Sequence, residues 1–352
     1  MEILVYGAGV VGSQYAARLR QAGHMVTLLA RNERAVEVRE NGIVLEAANT
    51  GQVETVHVNV KETLEPDDSY ELVIMALRMN QISDVLPILA ANHHTPSILF
   101  LGNNPSGAND YAAALGRERV LLGFGSVGGV KRGHIIRYTA RPGLYARTTL
   151  GELDGRASDR LIHIAIGLTE ARLGPRLEPN MDAWLKTHAA VINPLALALY
   201  AAEGDNYRLA RTQDGLLLAV RGIQESLRTL RELNIPIVPQ YYRLLEWVPE
   251  PLLVALLRGL VNTHAAEINI AGHANAARDE MWAVADEFET LTRATGRLTP
   301  ALYNLRLWLD PAHPTLEDGS AALPVDMRSV WIAIGIAFGL AVTMLLGPKR
   351  KK

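Results

Sequence analysis

The chain of 352 residues contains no cysteine. That absence removes disulfides, cysteine-ligated zinc, iron–sulfur clusters and thiol nucleophiles together, and it fits a reducing compartment. Charge of one sign is also lacking. The formal net charge is −2, so no electrostatic case exists for nucleic-acid binding. The ten histidines show no metal-site spacing supported by carboxylates, and His188, His264 and His273 read as structural. No apolar secretory signal opens the chain, because residues 3–6 run straight into glycines. No internal repeat or low-complexity tract is visible. What remains is 49% hydrophobic and 20% charged, the balance of a folded globular protein, and the length favours two domains.

The N-terminal half alternates strand and helix. Apolar runs at 3–6, 25–30, 56–60, 72–77, 97–101 and 120–125 read as strands. Continuous runs of this kind suit a parallel sheet covered on both faces. The stretch 134–150 alternates and carries Gly and Pro, so it reads as antiparallel strands closing the sheet edge.

Between the first two strands lies Gly7-Ala8-Gly9-Val10-Val11-Gly12, followed by a helix that ends at Gly23. The pattern alone is weak. Strand before, helix after, and a unit of about thirty residues supply the context that a dinucleotide site needs. Gly7 makes the tight turn, Gly9 lets the backbone approach a pyrophosphate, and Gly12 lets helix and strand pack closely. The helix N-terminus then faces the anion. After the second strand comes Ala30-Arg31-Asn32-Glu33-Arg34, where NAD binders usually carry an acid. A guanidinium can grip a 2′-phosphate that a carboxylate would repel. Arg31, with Arg34 beside it, therefore points to NADPH, while Glu33 leaves NADH open.

From about residue 157 the period becomes helical. Helices are expected at 158–173, at 182–201 with a kink or break at Pro194, at 212–233, and as two or more within 252–295. Lys186 lies among apolar residues of the second of these. It either snorkels from a buried face or faces a cleft, ready to donate a proton.

In this order of motifs the chain resembles the ketopantoate reductase family over roughly residues 1–310. The glycine fingerprint is matched, and the family's Lys and Gln after a later strand correspond to Arg78 and Gln81 in LVIMALRMNQ. Asn103 in LFLGNNPSG stands for the asparagine of a Gln-Asn-Gly turn. Gly151-Glu152-Leu153-Asp154-Gly155, then Trp184, Lys186 and Ile192-Asn193-Pro194-Leu195, continue the series. Arg278-Asp279-Glu280-Met281 precedes Gly296-Arg297-Leu298-Thr299-Pro300 at the family's spacing.

The resemblance implies an α/β Rossmann-type N-terminal domain (1–170), an all-α substrate and dimerisation domain (175–309), and hydride transfer from NADPH to a small 2-oxo acid or related ketone. It implies Lys186 as general acid and Glu280 as the group that orients substrate and lysine. Asn103, Asn193 and Asn269 would bind substrate; residues 7–12, Arg31, Arg78, Gln81 and Asn103 would hold the cofactor; no metal is implied. Departures stand at Ala190, Ile268 and Gly272, where the family has polar residues for the substrate's carboxylate and hydroxyl. They place ketopantoate itself in doubt. The competing readings are a catalytically silent NADP(H)-binding protein and a dehydrogenase of another class, acting on imines or amino acids.

Residues 310–327 read as a linker. The segment 329–347 carries no charged residue and precedes Pro348 and four basic residues, Lys349 to Lys352. Its nineteen residues span about 28 Å as a helix, close to a hydrocarbon core. A helix at 328–347 that anchors a cytoplasmic enzyme to a membrane is expected; a helix buried in a homodimer interface is its alternative. The topology is awkward, because a single span from the cytosol carries four cations across. Arg31→Ala should weaken NADPH far more than NADH, as read by cofactor fluorescence titration; equal losses would refute the phosphate-gripping role.

Overall fold

The computed structural model describes residues 1–139, 147–327 and 330. Strands β1 (Glu2–Tyr6), β2 (Met25–Leu29), β5 (Asn59–Lys61), β6 (Leu72–Met75), β7 (Ile98–Leu101), β8 (Val120–Gly125), β11 (Thr148–Glu152) and β12 (Pro175–Leu177) form one sheet. Its order is β12-β11-β8-β7-β6-β1-β2-β5, parallel from β8 through β5, with β11 antiparallel to β8. The sheet is apolar on both faces, as its unbroken runs require. One face packs Ile3, Val5, Leu28, Ile74 and Leu99 under helix α1 (Val10–Gln21), and the other packs Leu4, Tyr6, Val73, Met75 and Phe100. Helices α2 (Asn32–Asn41), α3 (Ile82–Ala91) and α4 (Asn109–Leu115) complete the crossovers, and α5 (Asp159–Glu170) covers the edge near β12.

Two expectations are corrected. The run at 56–60 is split between β5 and a second sheet, which consists of β3 (Ile43–Ala47), β4 (Val53–Val56), β9 (Val130–Arg132) and β10 (Ile135–Tyr138) in the order β4-β3-β10-β9. Of the stretch 134–150, only β11 closes the main sheet. β10 leaves it and runs parallel to β3. Period alone cannot say which of two sheets receives a strand.

Helix α6 (Met181–Ala201) runs through Pro194 without a break. The helix lies in the core of the second half and packs against α8 (Gln213–Glu232), where Pro194 abuts Gly222. Around this pair gather α7 (Asn206–Arg211), α9 (Glu250–Val261), α10 (His264–Ala266), α11 (Gly272–Ala276), α12 (Arg278–Thr295) and α13 (Pro300–Arg306). A π turn, Glu267–Ala271, joins α10 to α11.

Residues 310–327, expected as a linker, lie bonded along this helical half. The backbone amide of Leu316 donates to Ala201 O at 2.9 Å, and those of Ala322 and Leu323 donate to the Asp214 carboxyl at 3.0 and 2.8 Å. Among the described residues no helix is long and apolar enough to cross a membrane. Residues 328, 329 and 331–352, which hold the expected anchor and the basic tail, lie outside the described residues.

Tyr15 on α1 is fully buried, with its hydroxyl 2.6 Å from Thr148 Oγ1 on β11. Thr148 donates its own proton to Leu173 O, so Tyr15 is the donor. Tyr15→Phe should cost about 1 kcal/mol, since Thr148 keeps its other partner. Tyr15→Ala should cost several times more through the cavity left behind. Denaturant melts of both variants check the difference.

Candidate active site

The candidate cofactor residues collect at the C-terminal edge of the parallel sheet, where β1 and β6 lead in opposite directions across it. Gly7 has φ +114°, and a Cβ there would meet Ala76 O at 2.7 Å; one on Gly12 would meet Gly7 O at 1.8 Å. Both positions exclude any side chain. Gly9 differs: a Cβ there would enter open space, so this face of the loop is free for a ligand. No side chain caps the N-terminus of α1, and its first amides stay available to an anion. The residues present therefore fit a dinucleotide's pyrophosphate.

The loop is braced from below. Arg34 Nε donates to Ala8 O at 3.1 Å, its Nη2 to Ser13 Oγ at 3.1 Å, and its Nη1 to Glu37 at 2.6 Å. Arg34 is thus engaged by the protein itself, unlike the helping role expected for it. Arg31 stands exposed at the end of β2 and makes no salt bridge among the described residues.

Arg78 and Gln81 follow β6. Gln81 accepts from the Arg78 backbone amide at 3.3 Å, which closes a short turn. The Arg78 guanidinium reaches across to Asp279 at 2.7 Å, and Asn80 Nδ2 reaches the same carboxyl at 3.0 Å. Burial pushes the Asp279 carboxyl up, but hydrogen bonds from Asn80 and Arg78 outweigh it and hold it below the usual carboxylate range. Arg78, expected on the cofactor, is therefore a clasp between the two halves.

Asn103 follows β7. It is 6% exposed, and its Nδ2 donates to Glu280 Oε1 at 3.1 Å across the interface; Glu280 is 4% exposed. Asn103 Oδ1 and the neighbouring Asn104 Nδ2 are buried without a protein partner. One acceptor and one donor are thus left for a ligand. Further along the loop, the Ser106 amide donates to Glu287 Oε2 at 3.1 Å.

Lys186 is buried and hydrogen-bonded to Asp182, one turn earlier on α6. A Cβ on Gly107 would lie 3.4 Å from its Nζ, and its charge acts on Glu287, whose carboxyl burial pushes up. No hydrogen bond or ion pair joins Lys186 to Glu280 or Asn103 among the described residues. The group that faces Glu280 is His273 on α11, Nε2 to Oε2 4.0 Å. His188 comes next. Its half-buried ring stacks on Trp184 (centroids 5.2 Å apart, planes within 8°) and lies 4.1 Å from Phe124 at the end of β8. Burial holds its pKa at about 3, and the nearby His273 adds to the shift.

Both histidines read as structural in the sequence. No local spacing links residues on α6 and α11, so only tertiary packing could reveal them. Asn193 Nδ2 donates to Met281 O at 3.2 Å and ties α6 to α12. Asn269 and Thr139 bond reciprocally at 2.7 and 3.0 Å, which fastens the π turn to the end of β10. The amides of both asparagines, expected on substrate, are thus engaged with protein. Gly272 has a reason of its own: a Cβ there would meet Val130 Cγ1 at 2.5 Å, so a larger polar residue does not fit. A cavity of about 390 Å³ lined by Tyr200, Arg278, Trp308 and His313 contains none of these site groups, so the site is placed by its chemistry.

A family model described as ketopantoate reductase PanE/ApbA matches residues 3–155. A 2-dehydropantoate 2-reductase of Listeria innocua is 25% identical over 236 residues, covering 63% of this chain and 72% of that protein. In three dimensions, a 2-dehydropantoate 2-reductase of Geobacter metallireducens superposes with a TM-score of 0.70 at 17% identity, covering 89% of this chain and 100% of that one. A D-mandelate dehydrogenase with NADH and anilino(oxo)acetate gives 0.71 at 16% identity, covering 88% and 97%. The two likenesses in structure speak for the fold alone.

The His188 shift carries a pH signature. The unfolded imidazole binds a proton below about 6.5 and the folded one does not until about 3. Folding is therefore destabilised as pH falls through that window. Between pH 7 and 5, wild-type melting temperature should drop more steeply than that of His188→Phe.

Proposed function

We propose, from the match of residues 3–155 to the ketopantoate reductase PanE/ApbA family, that the chain is an oxidoreductase that reduces the carbonyl of a small 2-oxo acid or related ketone with NADPH. The buried Asn103–Glu280 pair carries the reading. It joins the edge of the dinucleotide sheet to α12 and leaves Asn103 Oδ1 unmet where a substrate and the reactive end of a cofactor would converge. Arg31, exposed where an acid would otherwise select NADH, favours NADPH.

A bound nicotinamide supplies hydride. The chain's own groups orient the carbonyl and deliver a proton to its oxygen as negative charge develops there. Glu280 orients the substrate through Asn103, and Lys186 is the cation we assign as proton donor. The substrate is something other than ketopantoate, because Ile268, Gly272 and Ala190 offer no side chain for its carboxylate and hydroxyl. A half-buried aromatic wall of Phe124 and Trp184 suits a more apolar carbonyl compound. The enzyme works at the cytoplasmic side of a membrane, held there by residues 329–347.

One observation favours a second donor. Lys186 turns toward Asp182, whereas His273 faces Glu280 at 4.0 Å. Two variants separate the readings. Lys186→Ala should leave NADPH affinity nearly intact and cut turnover by about a hundredfold, the scale of lost general-acid help. If turnover instead survives there and collapses in His273→Ala with NADPH binding retained, the imidazole is the donor. Failure of every 2-oxo acid and ketone in an NADPH-oxidation screen, with binding of NADPH retained, would leave a silent nucleotide-binding protein.

A further inference from the structure

Helix α9 is apolar on both sides. Leu253, Val254, Leu257 and Val261 enter the helical core, as expected. Leu252, Leu256 and Leu260, four residues apart on the opposite face, are 52%, 61% and 55% exposed. The segment before the helix continues the same trend: Tyr241 and Leu244 are each 61% exposed and Trp247 is 76%. Six large apolar side chains within 240–261 thus face outward, more than scattered surface residues explain.

The charges of this stretch are sorted. Its two acids are turned to protein: Glu246 pairs with Arg231 at 3.2 Å, and Glu250 with Arg221 at 2.7 Å. Its two arginines are exposed: Arg243, and Arg258, whose Nε donates to Ala210 O at 3.0 Å and whose Nη atoms form the outer end of the guanidinium. The outward face is therefore apolar with a cationic fringe, and it carries a Trp and a Tyr, the residues that favour a lipid–water interface.

The path of the chain says what covers this face. The stretch after α13 returns to α9: the Asp326 amide donates to Glu250 Oε1 at 2.8 Å, and Arg221 Nη2 donates to Pro324 O at 2.6 Å. The uncharged segment 329–347 begins three residues after Asp326, within about 10 Å of the N-terminus of α9 even if fully extended. Four basic residues follow it.

We propose that the ridge formed by Tyr241, Leu244, Trp247, Leu252, Leu256 and Leu260 rests in the interface of an anionic lipid bilayer, beside the point where residues 329–347 enter it. The proposal rests on the membrane reading of 329–347 and adds a second, folded contact. That contact fixes how the reductase half is held over the surface. Arg243 and Arg258 meet the headgroups, which places the cost of leaving the membrane on both acyl contacts and charge. A ridge of this kind, rather than the tail alone, sets the orientation of the site relative to the bilayer.

The absence of cysteine makes the test direct. Full-length chain carrying Leu256→Cys, Leu340→Cys or Val53→Cys is spin-labelled at its single thiol and reconstituted into vesicles of phosphatidylcholine and phosphatidylglycerol. Collision rates with oxygen and with a water-soluble nickel chelate are then compared. Labels at 256 and 340 should meet oxygen and be shielded from the chelate, while the label at 53, on β4, should meet the chelate freely. An immersed label at 340 with an aqueous one at 256 overturns the ridge and leaves the tail as anchor. Aqueous labels at both overturn the ridge and the anchor together. A label at 256 shielded from both reagents means that a second copy or the tail itself covers the ridge, and this also overturns the proposal. As a second measure, Leu252→Glu with Leu256→Glu should raise the protein's release from the vesicles by high salt at least severalfold; unchanged release overturns the ridge.

Discussion

The Asn103 amide and the Glu280 carboxyl meet across the boundary between a sheet and a helical bundle, and the site depends on that meeting. A carboxyl 4% exposed cannot stay there without donors, because burial strips it of water. Asn103 supplies one donor and His273 stands at 4.0 Å on the other oxygen. One residue earlier, Asp279 is gripped by Arg78 and Asn80 from the turn after β6. The first turn of α12 is thus pinned at two adjacent positions to two adjacent loops of the sheet edge. A helix held at two points cannot slide or rotate independently, so the same contacts that satisfy buried polar groups also set the geometry of the cleft.

That arrangement accounts for the departures from the family pattern. Where the resemblance calls for polar residues on the helix before Glu280, the chain has a buried Ile268 and a Gly272 pressed against Val130. The polar groups near that helix, Asn269 and Thr139, satisfy each other. Imidazoles and aromatic rings stand nearby instead: His188 is held neutral between Trp184 and Phe124, and His273 is half-exposed beside Glu280.

The legible part of the fold is the part written in local periods and in glycines. β8 spans 120–125, as its apolar run requires, and α5 and α8 lie within a few residues of the stretches 158–173 and 212–233. Gly7 and Gly12 sit where backbone carbonyls leave no room for a Cβ, which is the property their spacing signals. Pro194 was legible as a residue and misleading as a signal of a break, since α6 continues through it against α8. Of the second sheet, β10 lies within a stretch that reads as strands, while β3, most of β4 and β9 fall outside every such stretch; none was legible as a member of a second sheet, because strand partners are chosen by contacts far away in sequence.

The amino-acid sequence by itself determined a dinucleotide-binding βαβ unit, a helical second half and, through the family's ordered motifs, Asn103 and Glu280 as separate candidate site residues. Those follow from steric limits at glycine, from hydrophobic period and from ordered motifs, all of which act along the chain. Only the tertiary structure decided that Arg34 braces the glycine loop, that Arg78 clasps Asp279, that Lys186 turns to Asp182, that His273 faces Glu280 and that His188 stacks on Trp184. Each of these depends on which partner satisfies a charge or a buried polar atom. That choice is made by proximity in the folded chain, where burial removes the alternative of water.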